Sequence, residues 1–118
     1  MLTYRAPGAV FTEREHTVPL DHADDAGPSI TVFTREVAAP DGVDRPYLVF
    51  LQGGPGFEAT RPMIPPMGFV KRALLDYRVL LLDQRGTGRS TPVGSRIPGD
   101  TPRDQADYLT HFRADSIV

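Results

Sequence analysis

Two glycine-rich segments carry the chemistry that can be read from this sequence. Gln52-Gly53-Gly54-Pro55-Gly56 and Asp83-Gln84-Arg85-Gly86-Thr87-Gly88-Arg89-Ser90 each follow abruptly on a short apolar run. Glycine reaches positive φ and has no side chain, so such a loop can aim backbone N–H groups at a bound atom without blocking it. The natural partner is an anionic oxygen, either the oxyanion that develops when a carbonyl is attacked or a phosphate. Pro55 stiffens the first loop, so donors are arranged before reaction. It also removes an N–H that a phosphate would use. Neither loop is Gly-x-Gly-x-x-Gly, and no Gly-x-x-x-x-Gly-Lys-Ser/Thr occurs, which makes a nucleotide-binding module the weaker reading. There are no cysteines, so disulfides, thiolate metal centres and cysteine nucleophiles are excluded. No His, Asp and Glu cluster has metal-ligand spacing, and no cofactor is implied.

The elements that must hold these loops follow from hydrophobic periodicity. Phe11 to Leu20 carries charges at every second or third place, and Asp21 to Pro28 is a turn cluster. Ser29 to Val37 alternates, with Ile30, Val32 and Thr34 on one side and Thr31, Phe33 and Arg35 on the other. The pair predicts an antiparallel hairpin with one face wet. Pro46 to Leu51 and Tyr77 to Leu82 are short and apolar on both faces, which predicts parallel strands in a covered sheet. Between them Met67 to Asp76 has helical spacing, with Phe69, Val70, Ala73 and Leu74 near one face, so the unit reads as a right-handed βαβ. Thr101 as N-cap, Pro102 at the first helical position and Asp104 in the first turn open a last helix. Its apolar face is predicted to hold Ala106, Leu109, Phe112 and Ile117, and the sequence stops within it. Both glycine loops then lie at the carboxyl ends of parallel strands, where open α/β sheets bind ligands.

Composition narrows the class further. A chain of 118 residues with 13 basic and 15 acidic residues, interspersed, has the size of one domain and no basic stripe for nucleic acid. The N-terminus lacks the charged start and apolar run of a secretory leader, and no apolar run approaches membrane-spanning length. The expectation is a cytoplasmic protein with neither a nucleic-acid nor a membrane partner.

The two loops, in this order and with a helix between them, resemble the prolyl iminopeptidase family of α/β-hydrolases. That family carries His-Gly-Gly-Pro-Gly after its third strand and Asp-Gln-Arg-Gly-x-Gly-x-Ser after its fourth. The likeness runs from about residue 10 to residue 118. It implies the N-terminal part of an α/β-hydrolase fold over residues 1–118: an antiparallel hairpin, a βαβ unit and the start of a helix, comprising the opening four strands and first helix. It implies that Gly53 and Gly54 belong to the oxyanion hole, with Gly54 the preferred donor, and that Gln52, Pro55 and Gly56 shape the loop. Asp83 and Arg85 would tie the strand end by charge-assisted hydrogen bonds. Gly86 and Gly88 would permit a tight loop, and Ser90 is read as a structural or capping serine. Gln52 stands where the family has histidine. Glutamine can donate and accept hydrogen bonds but cannot shuttle protons near neutral pH, which admits related aminopeptidases and esterases.

In such a hydrolase the nucleophile lies in a Gly-x-Ser-x-Gly elbow on a following strand, with an acid and a histidine later. None of Ser29, Ser90, Ser95 and Ser116 has glycine on both sides at that spacing. His16, His22 and His111 are read as surface or structural histidines, and Asp24-Asp25 as a solvated turn. The resemblance implies that the catalytic triad, and a cap domain whose acidic residues receive a substrate's α-amino group, lie outside this sequence. The chain alone is expected to be inactive. An intact enzyme would act on a small peptide or aminoacyl substrate; the alternative is an esterase on the same scaffold. In that topology the third strand pairs with a fifth, so Tyr47 to Leu51 is expected to form an open apolar edge that promotes self-association.

Overall fold

Alternating residues in the first forty positions build the antiparallel half of one five-stranded sheet. The computed structural model describes residues 1–52 and 56–116. Strand β1 (Leu2–Ala6) turns through Pro7 and Gly8 into β2 (Ala9–Pro19), which pairs with β3 (Ser29–Ala38) from Val10 opposite Ala38 to Pro19 opposite Ser29. Beyond β3 the sequence order breaks. Strand β5 (Arg78–Leu82) lies antiparallel against β3, and β4 (Tyr47–Leu51) lies outside β5 and parallel to it, giving the order β1-β2-β3-β5-β4. Helix α1 (Gly68–Ala73) falls within the β4-to-β5 connection, so the expected βαβ unit is present. This is a mixed sheet of the kind that opens an α/β-hydrolase fold.

Three fully buried side chains from different strands form the centre of the core. Phe11 faces Val37 and Val37 faces Val79, and all three are 0% exposed. Val70 and Ala73 of α1 and Leu74 at its C-terminal cap, with Leu81 and Ala59, close over that row. Burying a Phe or Val side chain contributes about 1.5–3 kcal/mol each, so this row anchors the sheet. Phe69 departs from the predicted helix face: it is 52% exposed, and its ring packs on Phe50 at a centroid distance of 5.1 Å, at the flank of the core.

Strand β1 is the element periodicity did not announce. Only Tyr4 and Ala6 turn inward, too few residues for a legible alternation, and pairing with β2 is what places them. The Tyr4 ring stacks on Phe11 at 5.1 Å with an interplanar angle of 7°. A five-stranded sheet thus replaces the four strands expected, and the glycine loops follow the fourth and fifth strands. The hairpin is also drier than its alternation suggested: Phe33, Thr34, Arg35, Glu36, Val37 and Ala38 are all buried, so both faces of that half of β3 are covered.

Helix α2 (Pro102–Thr110) starts as expected, with the Thr101 hydroxyl accepting from the Asp104 N–H and the Asp104 carboxylate accepting from the Thr101 N–H, each at 3.1 Å. Its predicted apolar face does not hold. No residue of α2 is buried, the helix ends at Thr110, and a 3₁₀ turn follows at Ala114–Ser116. Ala106 and Leu109 face solvent, Phe112 packs over Gly86 and against Tyr108, and Ile117 lies outside the described residues. The aromatic pair, not the aliphatic row, found a partner surface. At the other side of the sheet, β4 is an open edge: Tyr47, Leu48, Val49 and Leu51 are 42%, 38%, 52% and 55% exposed. Among the described residues no helix is long and apolar enough to cross a membrane.

Candidate functional site

Strands β4 and β5 run parallel with Leu51 beside Leu82, so the two glycine loops leave the sheet side by side. Gly53, Gly54 and Pro55 lie outside the described residues. Gln52 is half-buried, and Gly56 takes a φ of +131°, a region open essentially to glycine alone.

The second loop is held by side chains that replace strand hydrogen bonds. Where β5 ends, the Asp83 N–H still donates to the Phe33 carbonyl at 3.1 Å. The Phe33 N–H then donates to the Ser90 hydroxyl at 2.7 Å, and Ser90 donates to the Asp83 carbonyl at 2.5 Å. One residue on, the Thr91 hydroxyl accepts from the Thr31 N–H at 2.9 Å and donates to the Thr31 carbonyl at 3.2 Å. Thr91 adopts a φ of +42°, a conformation that this double contact holds in place. Ser90 is 0% exposed, with its hydroxyl committed to backbone on both sides. Ser90→Ala is expected to leave the Phe33 N–H unpartnered and to cost about 1–3 kcal/mol, measurable as a lower urea midpoint at unchanged m-value.

Asp83 and Arg85 both make charge-assisted bonds, but to backbone; no ion pair joins them among the described residues. The Asp83 carboxylate, in a residue 5% exposed, accepts from the Ala59 N–H and the Arg89 N–H, each at 3.0 Å. The Arg85 guanidinium donates to the carbonyls of Leu20, Pro19 and His111, joining the end of β2 to the end of α2. Burial lowers its pKa, and the three carbonyls keep its charge satisfied. Gly86 and Gly88 have φ of +81° and +51°, as the tight loop requires. Two of the three histidines are tied into structure: His16 meets the Thr34 hydroxyl at 2.9 Å, and His22 meets the Ser116 carbonyl at 2.7 Å. Asp24 caps its own turn, accepting from the Ala26 N–H at 3.2 Å.

An ionic network that the sequence reading passed over surrounds Glu13. Its carboxylate accepts from Arg35 at 3.0 Å, from Arg89 at 3.0 Å and from the Tyr4 hydroxyl at 3.3 Å, with Arg61 at 3.8 Å. Arg35 and Arg89 both lie over the Phe33 ring, at 5.2 Å and 4.0 Å. Burial alone would raise the Glu13 pKa; the bond and charge of Arg35, with the bonds from Arg89 and Tyr4, outweigh it and hold the carboxyl below the usual glutamate value. The signal was present, because Glu13 lies two residues from Phe11 and so shares its inward face. Beside this network a cavity of about 590 Å³ opens at the carboxyl end of β5, with Arg35, Arg61, Arg89, Glu58 and Asp83 in its wall. Gln84 was also unassigned: its side-chain amide donates to the Gln52 carbonyl at 2.8 Å, a partner that sequence spacing could not reveal. Among the described residues no group of three or more His, Asp or Glu gathers as a metal centre.

No protein-family profile matches the chain. It is 56% identical over 106 residues to the proline iminopeptidase of Aeromonas sobria, an alignment covering 86% of this chain and 25% of that protein. It is 37% identical over 124 residues to "Proline iminopeptidase aneH" of Aspergillus aculeatus, covering 98% of this chain and 27% of that one. The chain spans about a quarter of the length of these curated relatives. With the paired glycine loops on neighbouring parallel strands of a mixed sheet, these identities identify the chain as a member of the prolyl iminopeptidase family of hydrolases, corresponding to its N-terminal quarter.

Proposed function

We propose that this chain is the oxyanion-loop portion of a serine aminopeptidase whose intact form releases proline, or another N-terminal residue, from short peptides. The observation that carries the reading is the pair of adjacent loops after β4 and β5, on a chain more than half identical to a proline iminopeptidase. In the reaction a serine oxygen attacks the carbonyl carbon of the N-terminal residue. The resulting oxyanion accepts hydrogen bonds from the N–H of Gly54 and from the residue after the nucleophile. The amine then leaves, and water hydrolyses the acyl-serine. No Gly-x-Ser-x-Gly elbow occurs among these 118 residues, so on this reading the nucleophile, acid and histidine belong to the rest of the enzyme and the chain alone is inert. The substrate is a small peptide or aminoacyl compound, and a cytoplasmic location without nucleic-acid or membrane partners belongs to the same proposal.

One observation favours a second reading. Gln52 stands where the resembled loop has histidine, and an esterase on this scaffold would accommodate it. A fluorophosphonate probe and a panel of aminoacyl amides and esters separate the possibilities. The 118-residue chain is expected to remain unlabelled. The same chain joined to the remaining three quarters of the Aeromonas sobria enzyme is expected to label at one serine and to cleave proline amides faster than simple esters. Labelling of the isolated chain would overturn the assignment of its inactivity, and preference for esters would favour the second reading.

A further inference from the structure

We infer that Gln84 and Asp83 are positioning residues that hold the two ends of the first glycine loop, Gln84 at Gln52 and Asp83 at Ala59. The inference deepens the function just proposed and rests on it for its catalytic part.

The two contacts are adjacent in sequence on one side and seven residues apart on the other. Gln84 Nε2 donates to the Gln52 carbonyl at 2.8 Å, where the chain leaves β4. Asp83 Oδ1 accepts from the Ala59 N–H at 3.0 Å, where the chain enters the core, and Ala59 is 2% exposed. The parallel pairing of Leu51 with Leu82 makes this possible, because it brings the first residues after β5 alongside those after β4. A glycine-rich segment has more backbone freedom to lose than any other, so fixed end points restrict where its donors can lie. Donors to a developing oxyanion must be placed within a fraction of an ångström. Among the described residues the Gln84 side chain makes no other hydrogen bond, so its role is specific to this loop. Asp83 also reaches the other way: Oδ2 accepts from the Arg89 N–H at 3.0 Å, so one buried carboxylate joins the two glycine loops.

The chemistry of each residue suits the task. A carbonyl needs a donor, which glutamine supplies; glutamate at position 84 would set a charged acceptor against the Gln52 oxygen. Two inward N–H groups need two acceptor oxygens, which aspartate supplies; asparagine at position 83 would turn an NH₂ toward one of them.

Hydrogen–deuterium exchange on the 118-residue chain tests the clamp without any activity. Gln84→Glu is expected to speed exchange of the Gly56–Ala59 amides by about tenfold while amides of β2 and β3 keep their protection. Unchanged exchange in that segment overturns the clamp. Uniform loosening of the whole sheet also overturns it, since that would show a purely structural role. The catalytic part is read in the chimera with the Aeromonas sobria enzyme. There Gln84→Glu and Asp83→Asn are expected to lower kcat by about 10- to 100-fold with KM within about twofold. A raised KM at constant kcat overturns positioning. An unmutated chimera that folds but neither labels nor hydrolyses overturns the proposed function, and the exchange result still decides the clamp.

Discussion

Replacing Glu13 with leucine is expected to lower the stability of this chain by roughly 3–5 kcal/mol, the cost of removing one partner from a buried ion pair. Its side chain is 8% exposed and that of Arg35 is 10%, so the abandoned guanidinium has little access to water. Arg89 would keep its bond to Glu15, at 3.2 Å, and its side chain is 52% exposed, so it contributes less to the loss. The figure is a large share of the roughly 5–15 kcal/mol that holds a typical domain together. Urea titration followed by far-ultraviolet circular dichroism should therefore show the variant mostly unfolded at low denaturant. The double variant Glu13→Leu with Arg35→Met removes both charges and should recover much of the loss, because two apolar side chains of similar volume replace the pair. Equal instability of single and double variants would show that the packing of Glu13, rather than its charge, matters.

The same carboxylate sets an acid limit. Its folded pKa lies below the 4.5 of an ordinary glutamate, so the unfolded chain binds the proton more readily than the folded one. The stabilisation is then complete above about pH 4.5 and drains away as the pH falls through the lower, folded value. Melting temperature measured from pH 7 down to 3 should fall for the unmodified chain and fall less for Glu13→Gln, whose amide does not titrate in that range. Tyr47 acts at the alkaline end. Its bond to Glu36, at 2.7 Å, together with burial raises its pKa, so its contribution persists until the pH climbs through that raised value.

The parts of this architecture that sequence could announce are those with a local cause. The runs ending at Leu51 and Leu82 are apolar and give way to polar, glycine-rich segments, so the strands and the position of both loops were readable. Thr101, Pro102 and Asp104 lie within four positions of each other and make their cap from one another. The parts that escaped depend on distant partners. Gln84 meets Gln52, Asp83 meets Ala59, and Glu13 meets Arg89 only because the sheet order places β5 between β3 and β4. The failed apolar face of α2 belongs to the same class: helical spacing marks which residues share a face, but not whether a surface waits for them. Phe112 found one at Gly86, which sequence offered only as a turn residue.

Gly88 shows how such a contact constrains a residue that looks free. It is exposed, yet its φ is +51°, and a Cβ there would stand 2.3 Å from Asp83 Oδ2 and 2.5 Å from the Glu58 Cβ. Gly88→Ala is expected to cost about 1–2 kcal/mol for the left-handed backbone and a further ~1–3 kcal/mol for the overlap. The carboxylate must retreat as Glu58 also shifts, and its retreat stretches its bonds to the Ala59 and Arg89 N–H groups together. Exchange should therefore accelerate in the Gly56–Ala59 segment, the signature expected of Gln84→Glu, although Gly88 touches neither Gln52 nor Gln84 through a hydrogen bond. Gly94→Ala is the control: among the described residues, its chain neighbours aside, no heavy atom lies within 4 Å of its would-be Cβ, and its stability should stay within about 0.5 kcal/mol of the parent. The origin of the penalty can be separated further. In an Asp83→Ala background the carboxylate is already gone, so adding Gly88→Ala should cost about 1–3 kcal/mol less than it does in the parent. Strict additivity would mean that the left-handed backbone and the Glu58 contact alone confine position 88 to glycine.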